Sequence, residues 1–311
     1  MKFDMHCHTT HSDGSSAPKE LIWEAKKRNF DMLFITDHDT DSTDLVPMIE
    51  DAGISTVPSV EISTKNTLWD NRSLHATYYS NHISDEILWI IDNTRQGKRN
   101  LILKQLHHLE SKWFQVDVEE FYQFNTQWGR SRDGLNKYDI ANYITSKPEN
   151  ALILSSIIWD DPTTLKFYYK CMKRNGPLYP EYSIEVEEYE PQISDVATIA
   201  KDQWVLSIAH PNFTFSREKM KGFRKLYEEV YRPFGIHTLE INGKATKKWV
   251  DAILDIKAQY GDDLQLTFGS DCHNIGKPDD KHEDLWVQNP YVSDEIMQRE
   301  MNQFREKLLM K

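Results

Sequence analysis

Three cysteines in 311 residues are too few, and odd in number, for a disulfide framework. No apolar run of the sequence approaches the roughly 18 residues that a membrane span requires. Positive charge is in deficit: 37 Lys and Arg stand against 49 Asp and Glu, a net charge of −12. That balance argues against a protein that coats long nucleic acid or lies on an anionic membrane, and a small or short partner is expected instead. Met1-Lys2-Phe3-Asp4 leads at once into an apolar, strand-like run, which leaves no room for a signal peptide. A cytoplasmic protein is expected. Internal repeats and low-complexity stretches are missing as well.

What is present suits an enzyme-sized unit. A 39% hydrophobic and 12% aromatic content can bury a full core, and one domain with an insertion fits 311 residues better than two independent domains. Pro18 to Arg28 reads as a helix, Met32–Ile35 as a buried strand, Asp44 to Asp51 as a helix and Ile54 to Ile62 as a strand. The alternation resumes with a helix near 192–202, a strand at 204–209, a helix from about Ser216, a strand from His237 to Ile241, a helix over 246–260 and a strand before Gly269. Residues 84–183 break this rhythm with long helical stretches and several tryptophans, and read as a helical insertion that caps the rest, 1–83 and 184–311. Ser293 to Lys311 reads as a charged outer helix.

His6, His8, Asp13, Asp37-His38-Asp39, Glu61, His75, Ala209-His210-Pro211 and Gly269-Ser270-Asp271-Cys272-His273 stand at the ends of the strand-like runs. Strands of a barrel deliver their C-terminal ends to one rim, so residues far apart in sequence can meet there. Strand alternation places His6 and His8 on one side and Cys7 on the other, and the same parity pairs Asp271 with His273. Clustered imidazoles and carboxylates are ligands of Zn, Mn or Fe, so the pattern reads as a multinuclear metallohydrolase. A lone histidine in a strand is more often an ordinary hydrogen-bonded residue. Many in this arrangement are not. Asp37 and Asp39 are expected to orient neighbours or cap a helix rather than to ligate. Glu240 is equally compatible with a rim position and a solvated strand end, and His11, His107, His108 and His282 read as surface histidines.

The segments His6-Cys7-His8-Thr9-Thr10-His11-Ser12-Asp13-Gly14, Thr36-Asp37-His38-Asp39, Pro58-Ser59-Val60-Glu61-Ile62-Ser63, Ala209-His210-Pro211 and Gly269–His273 resemble, in order, the motifs of the PHP (polymerase and histidinol phosphatase) family. The resemblance covers roughly 1–83 and 184–275. It implies an α/β fold, a distorted (β/α)7 TIM-like barrel of the PHP type with an inserted helical cap, and a site for two or three divalent ions at its mouth. His6, His8 and Asp271 would hold one ion together with Glu61, which would bridge to a second held by His75 and His210. Asp13, His38 and His273 would hold the third. His75 stands on Ser73–Tyr79, which lacks the family's usual leucine-glycine-tyrosine ending.

Grouped divalent ions activate water, polarise phosphorus and stabilise the leaving oxygen, so no nucleophilic side chain is required. Asp271 would be essential to that chemistry, and His38, His210 or a rim aspartate could protonate the leaving alcohol. The implied activity is hydrolysis of phosphate esters of nucleotides, short 5′-phosphorylated oligonucleotides or a related metabolite. Two alternatives stay open: a non-catalytic, metal-stabilised module of a larger assembly, and a cyclic-phosphate or amide hydrolase on the same site. Arg95, Lys98 and Arg99 share one helical face. With Gly129-Arg130 and the stretch Lys137 to Thr145 they resemble the insertion of a subgroup of exoribonucleases and nucleoside 3′,5′-bisphosphate phosphatases. That resemblance makes Arg99, Arg130 and Arg132 candidates for a substrate phosphate, which arginine's planar fork binds in bidentate fashion. Tryptophans of the insertion would suit base stacking but are expected chiefly as helix-packing core.

Overall fold

The computed structural model describes residues 1–66, 72–127, 129–159, 161–185, 189–201, 205–215, 220–280, 282–286 and 289–308. Two compact units emerge, one formed by Met1–Asp92 with Glu190–Lys311 and the other by Asn93–Tyr189.

The first unit is a mixed α/β structure of seven described strands: β1 (Phe3–Cys7), β2 (Met32–Ile35), β3 (Ser59–Asn66), β4 (Arg72–Tyr79), β5 (Val205–Ile208), β6 (Thr238–Asn242) and β7 (Gln265–Gly269). Helices Pro18–Lys27, Val46–Asp51, Ile193–Ala200, Lys247–Tyr260 and Asp294–Leu308 surround them, close to the expected positions. The expected helix from Ser216 begins outside the described residues and is seen as Met220–Leu226.

The strands do not join into one continuous ladder. β1 and β2 pair in parallel as a two-stranded sheet, while β3-β4-β5-β6-β7 form a second sheet in that order. Two seams separate the sheets, each crossed by isolated bridges: His38 with Glu61 and Met32 with Ser55 at one, Cys7 with Cys272 at the other. Against the expectation of a barrel closed by its ladder, the described sheet is open. The physical reason lies at the strand ends. β1, β2 and β7 have only four or five residues and run into loops at the seams. Isolated backbone bonds such as His8 N to Cys272 O and Asp39 N to Glu61 O cross there, while the amides of Thr9, Ser63 and Ser270 bond to the carboxylates of Asp37, Asp39 and Asp4. A second departure is direction: β3, β4 and β5 run antiparallel, while β5, β6 and β7 are parallel.

β1, β2, β5, β6 and β7 are buried on both faces, β2 as its apolar run leads one to expect. A large core packs Phe34, Val60, Tyr78, Tyr79, Leu239, Leu266, Trp249 and Phe304 between sheet and helices. A second cluster contains Leu21, Ala25, Leu33, Ile35 and Ile49 together with Cys7 and Cys272. Both cysteines are thus core residues, Cys7 by the parity of β1 and Cys272 from the loop after β7.

The second unit is helical, with helices Val118–Thr126, Lys137–Ser146, Ala151–Ile157, Thr164–Phe167 and Tyr179–Tyr182 following the part of helix Asp85–Ser111 that lies within it. Its core is made by Ile102, Leu106, Phe114, Phe121, Ile140, Tyr143, Leu154 and Phe167. Residues 150–183 contribute Leu154, Ile158, Phe167, Cys171 and Met172 to that core. The tryptophans do not behave as expected: Trp113 is 82% exposed and Trp159 93%, and Phe and Tyr fill the core in their place. Trp128 lies outside the described residues. Among the described residues no helix is long and apolar enough to cross a membrane.

Candidate metal centre

The site is built from residues on or just after the strand ends of the first unit. β1 carries Asp4 and His6 and ends one residue before His8, and β3 carries Glu61. In the β3–β4 ladder, Glu61 lies opposite Thr77 and Ser63 opposite His75, so Glu61 and His75 are diagonal neighbours on one face. His210 follows β5, and Asp271 and His273 follow β7. Gly269 permits the close packing of β7 on β1, because a Cβ there would collide with the Cβ of His6. Three non-glycine residues of the loops adopt positive φ: Asp39 at 47°, His210 at 28° and Asp271 at 56°. Such conformations cost about 1–3 kcal/mol each and persist where surrounding structure enforces them, commonly at functional sites.

All nine expected ligand-type residues converge. Glu61 is fully buried at the centre, and its Oε2 lies 3.2 Å from His6 Nε2, 3.2 Å from His8 Nε2 and 3.0 Å from His38 Nδ1. Its Oε1 lies 3.1 Å from His75 Nδ1 and 3.0 Å from His210 Nε2. Asp271 Oδ1 approaches His8 Nε2 at 3.2 Å and His6 Nε2 at 3.6 Å. Asp13 gathers His273 Nε2 at 3.2 Å, His38 Nε2 at 3.7 Å and His8 Nδ1 at 3.8 Å. His38 therefore faces both Glu61 and Asp13, and is less separable from the central carboxylate than the expected grouping with Asp13 and His273 suggests.

Around this cluster other side chains fix the rings and loops. Glu240 is buried, not solvated: its Oε2 accepts from His6 Nδ1 at 2.7 Å and its Oε1 from the His210 amide at 3.2 Å. Asp37 accepts from the Thr9 amide, Thr9 Oγ1 and Ser12 Oγ, and Asp39 from the amide and hydroxyl of Ser63. Both act as the orienting groups expected of them. Asp4, which the motif reading passed over, accepts from the amides of His6, Ser270 and Trp286 and from Ser270 Oγ, binding β1 to the loop after β7. Its signal was available: Asp4 shares the strand parity of His6. His282, expected at the surface, is only partly exposed and stacks on His273 with ring centroids 4.0 Å apart.

The electrostatics follow from burying acids beside bases. Burial raises the pKa of Glu61, but His38, His6 and His75 overcome this and hold it well below the usual carboxylate range. Asp271 is likewise lowered by His6, His8 and His210 against its burial. Burial pulls His8 down, yet hydrogen bonds to Asp271 and Glu61 push it up to about 10. His6 is also raised, by Glu240, Glu61 and Asp271 against its burial, while His38 is lowered because burial prevails.

The donor set fits divalent metal. Glu240 fixes the proton of His6 on Nδ1, and the Asp271 carbonyl accepts from His273 Nδ1 at 2.8 Å, so in the neutral rings both Nε2 atoms present lone pairs to the cluster. His6 Nε2 then faces His8 Nε2 at 3.1 Å, and His273 Nε2 faces a carboxylate oxygen. His210 Nδ1 is buried without a hydrogen-bond partner. An ion with bonds of about 2.1 Å at angles near 90–110° sets its donor atoms about 3.0–3.5 Å apart, the spacing that dominates this cluster. Groups able to hold an ion include His6, His8 and Glu61; His38, Glu61 and His75; and His8, Asp13, His38 and His273.

In the second unit, Arg99 and Arg95 pair with Asp133, Arg130 with Asp139, and Arg132 with Glu119. His107 bonds to Glu110 and His108 to the Glu181 carbonyl.

Comparison with known proteins gives a consistent picture. Residues 4–273 match the PHP domain family. The 5′-3′ exoribonuclease Rnm of Salmonella typhimurium is 31% identical over 123 residues, which are 36% of this chain and 40% of that protein. The chain spans two fifths or less of the length of the exoribonuclease relatives it matches. A phosphoribosyl 1,2-cyclic phosphate 1,2-diphosphodiesterase of Eggerthella lenta is 26% identical over 211 residues, covering 67% of this chain and 73% of the relative. Among solved structures, a Bifidobacterium adolescentis protein, provisionally titled a metal-dependent phosphoesterase, superposes with a TM-score of 0.65 at 21% identity over 96% of this chain and 95% of its own. That likeness bears on the fold.

Proposed function

The chain belongs to the PHP domain family, and from that premise we propose that it is a metal-dependent phosphoesterase acting on a nucleotide, a short 5′-phosphorylated oligonucleotide or a related small phosphorylated metabolite. The observation that carries this reading is Glu61: one buried carboxylate whose two oxygens face five imidazole nitrogens within 3.2 Å. A carboxylate that presents one oxygen to each of two histidine sets is suited to bridging two cations. We read the seven strands, with their bridged seams, as the distorted (β/α)7 barrel of the family, and residues 84–183 as its helical insertion.

His6, His8 and Asp271 would hold one ion with Glu61, His75 and His210 a second with Glu61, and Asp13, His38 and His273 a third, the ions being Mn, Zn or Fe. Divalent ions bound there supply Lewis acidity toward a phosphoryl oxygen and activate water at neutral pH. The chain's own residues supply orientation. Glu240 keeps the His6 proton on Nδ1 and holds the His210 backbone in its strained conformation, while Asp37 and Asp39 pin the loops that carry His8, Asp13 and His38. Asp271 would contribute the carboxylate whose loss the reaction cannot tolerate. His38, His210 or a rim aspartate, whichever keeps a proton free of the ions, would deliver it to the leaving oxygen. Arg99, Arg130 and Arg132 are proposed for a substrate phosphate that is not cleaved.

The Eggerthella lenta relative favours a second reading, hydrolysis of a cyclic phosphate, because the same activated water can attack a cyclic phosphodiester. A non-catalytic module finds less support, since all nine donors are kept in one cluster. The test is a substrate panel of 5′-monophosphates, 3′,5′-bisphosphates, short 5′-phosphorylated RNA and DNA, a cyclic nucleotide phosphate and histidinol phosphate, assayed with Mn²⁺ and after chelation. Mn²⁺-dependent release of phosphate or nucleotide supports the reading. Inertness toward every member would remove it.

A further inference from the structure

We propose that His282 supplies a tenth metal ligand, binding a divalent ion together with Asp271 and His273. The inference rests on the metal-centre reading above and extends it to a residue outside the nine donors.

His282 lies in the loop after β7, well beyond Asp271 and His273, yet the loop returns to the site. The Glu283 amide donates to the Ser270 carbonyl at 3.1 Å, and the Trp286 amide donates to Asp4 at 2.9 Å, so the loop is fastened to the site immediately after His282. The imidazole lies against His273, with the ring planes inclined by 36°. Its Nε2 points at Asp271 Oδ2 across 4.0 Å, whereas the other oxygen of Asp271 faces His6 and His8.

Asp279 decides what His282 presents. Its Oδ2 lies 2.9 Å from His282 Nδ1 and its Oδ1 accepts the His282 amide at 2.8 Å, while the Asp279 amide donates to the His282 carbonyl at 3.0 Å. The carboxylate draws the ring proton to Nδ1, which leaves a lone pair on Nε2 in the neutral ring. A lone pair aimed at an ionised carboxylate oxygen with no proton between them is repulsive. A cation between them reverses the sign. The separation is too long for a hydrogen bond and suits two bonds of about 2.1 Å to one ion at a wide angle. Donor atoms of Asp271, His273 and His282 lie within 4.8 Å of one another. Asp279 stands to His282 as Glu240 stands to His6, the carboxylate–histidine–metal arrangement by which proteins set ligand tautomer and basicity.

The experiment uses the full-length protein, stripped by chelation and titrated with Co²⁺, with bound cobalt followed by its visible absorption and by elemental analysis. His282→Phe keeps the ring that packs on His273 and removes the donor. The expected result is at least a tenfold weaker apparent affinity for one class of bound cobalt and a changed ligand-field band, with a smaller weakening in Asp279→Asn. Wild-type and His282→Phe titrations that superimpose in affinity and spectrum overturn the proposal. If wild type itself binds no cobalt, the metal-centre reading fails and takes this inference with it, a distinct outcome. Should His282→Phe not fold by circular dichroism, His282→Gln carries the same comparison.

Discussion

Gly269 and His6 pack so closely across the β7–β1 seam that the Cβ of any other residue at 269 would fall inside the Cβ of His6. Gly269→Ala must therefore displace the strand that carries His6. Overpacking of this kind costs roughly 1–3 kcal/mol, and here it also moves a donor away from Glu61. The variant should melt earlier and lose metal and turnover together. Gly261→Ala is the control: that glycine has φ 55° with open space around it, so the variant should pay only the backbone cost and keep its metal. Equal metal content in Gly269→Ala and wild type would refute the seam argument.

Glu240 bonds to both His6 and the His210 backbone. Replacing the carboxylate with an amide weakens its hold on the His6 proton. Loss of such an orienting group typically costs 10–100-fold in metal affinity. Glu240→Gln should therefore compete less well against a chelator by that factor, while its metal-free form melts close to metal-free wild type. An unchanged competition curve would reduce Glu240 to a packing residue.

The part of the site that could be read in the sequence is the part governed by strand parity. Asp271, Cys272 and His273 lie past β7, with Asp271 at φ 56°, and are placed by their loop, whereas His6 and His8, with Cys7 turned into the core between them, follow from a period of two. Pairing direction does not, because an apolar run bounded by turns looks the same in a parallel and an antiparallel neighbour. The β3–β4 hairpin therefore had to be seen, and with it the diagonal meeting of Glu61 and His75. Glu240 was ambiguous for a similar reason: a strand-end carboxylate is solvated or buried according to what lies opposite. His282 sits in a loop without periodicity, and nothing local connects it to Asp271. The exposed Trp113 and Trp159 show the converse limit, since composition cannot say that they fall just past the ends of helices Asp85–Ser111 and Ala151–Ile157.

Metal should account for much of the first unit's stability, because the cluster buries several carboxylates and imidazoles together. An ion that binds only the folded state adds about 2.7 kcal/mol at a hundredfold excess over its Kd. Chelation should lower Tm and Mn²⁺ should restore it. Elemental analysis should find two or three ions per chain, and at most one would end the trinuclear assignment. Asp271→Ala should abolish turnover. Near-normal hydrolysis by that variant would place the chemistry elsewhere.

Acid should act on the second unit through Asp133. Burial raises its pKa, but hydrogen bonds from Arg99 and Arg95 outweigh this and hold the carboxyl below its ordinary value. A carboxyl depressed in the folded state contributes stability above its unfolded pKa near 3.8 and loses it as pH falls through the lower folded value. Wild type should thus be more stable than Asp133→Asn at neutral pH, and the difference should shrink as pH drops below about 4. A difference in Tm that stays constant from pH 7 to pH 3 would show that the carboxylate charge contributes nothing.

Arg99 lies in that same network, and its two possible roles predict different patterns of loss. If it grips a second phosphate of the substrate, Arg99→Ala should weaken binding of bisphosphates or 5′-phosphorylated oligonucleotides by roughly 1.5–3 kcal/mol, the scale of a hydrogen bond to a charged group, and spare p-nitrophenyl phosphate. If it serves only Asp133, both substrates should suffer alike, through a fall in stability that a thermal melt would register. A surface charge without either role predicts a small change that salt screens equally for every anion. Measuring KM and kcat for both substrates at two ionic strengths, beside the melt, separates the three. Equal losses on the generic ester and the nucleotide would remove Arg99 from substrate recognition, and with it the reason for looking to Arg130 and Arg132.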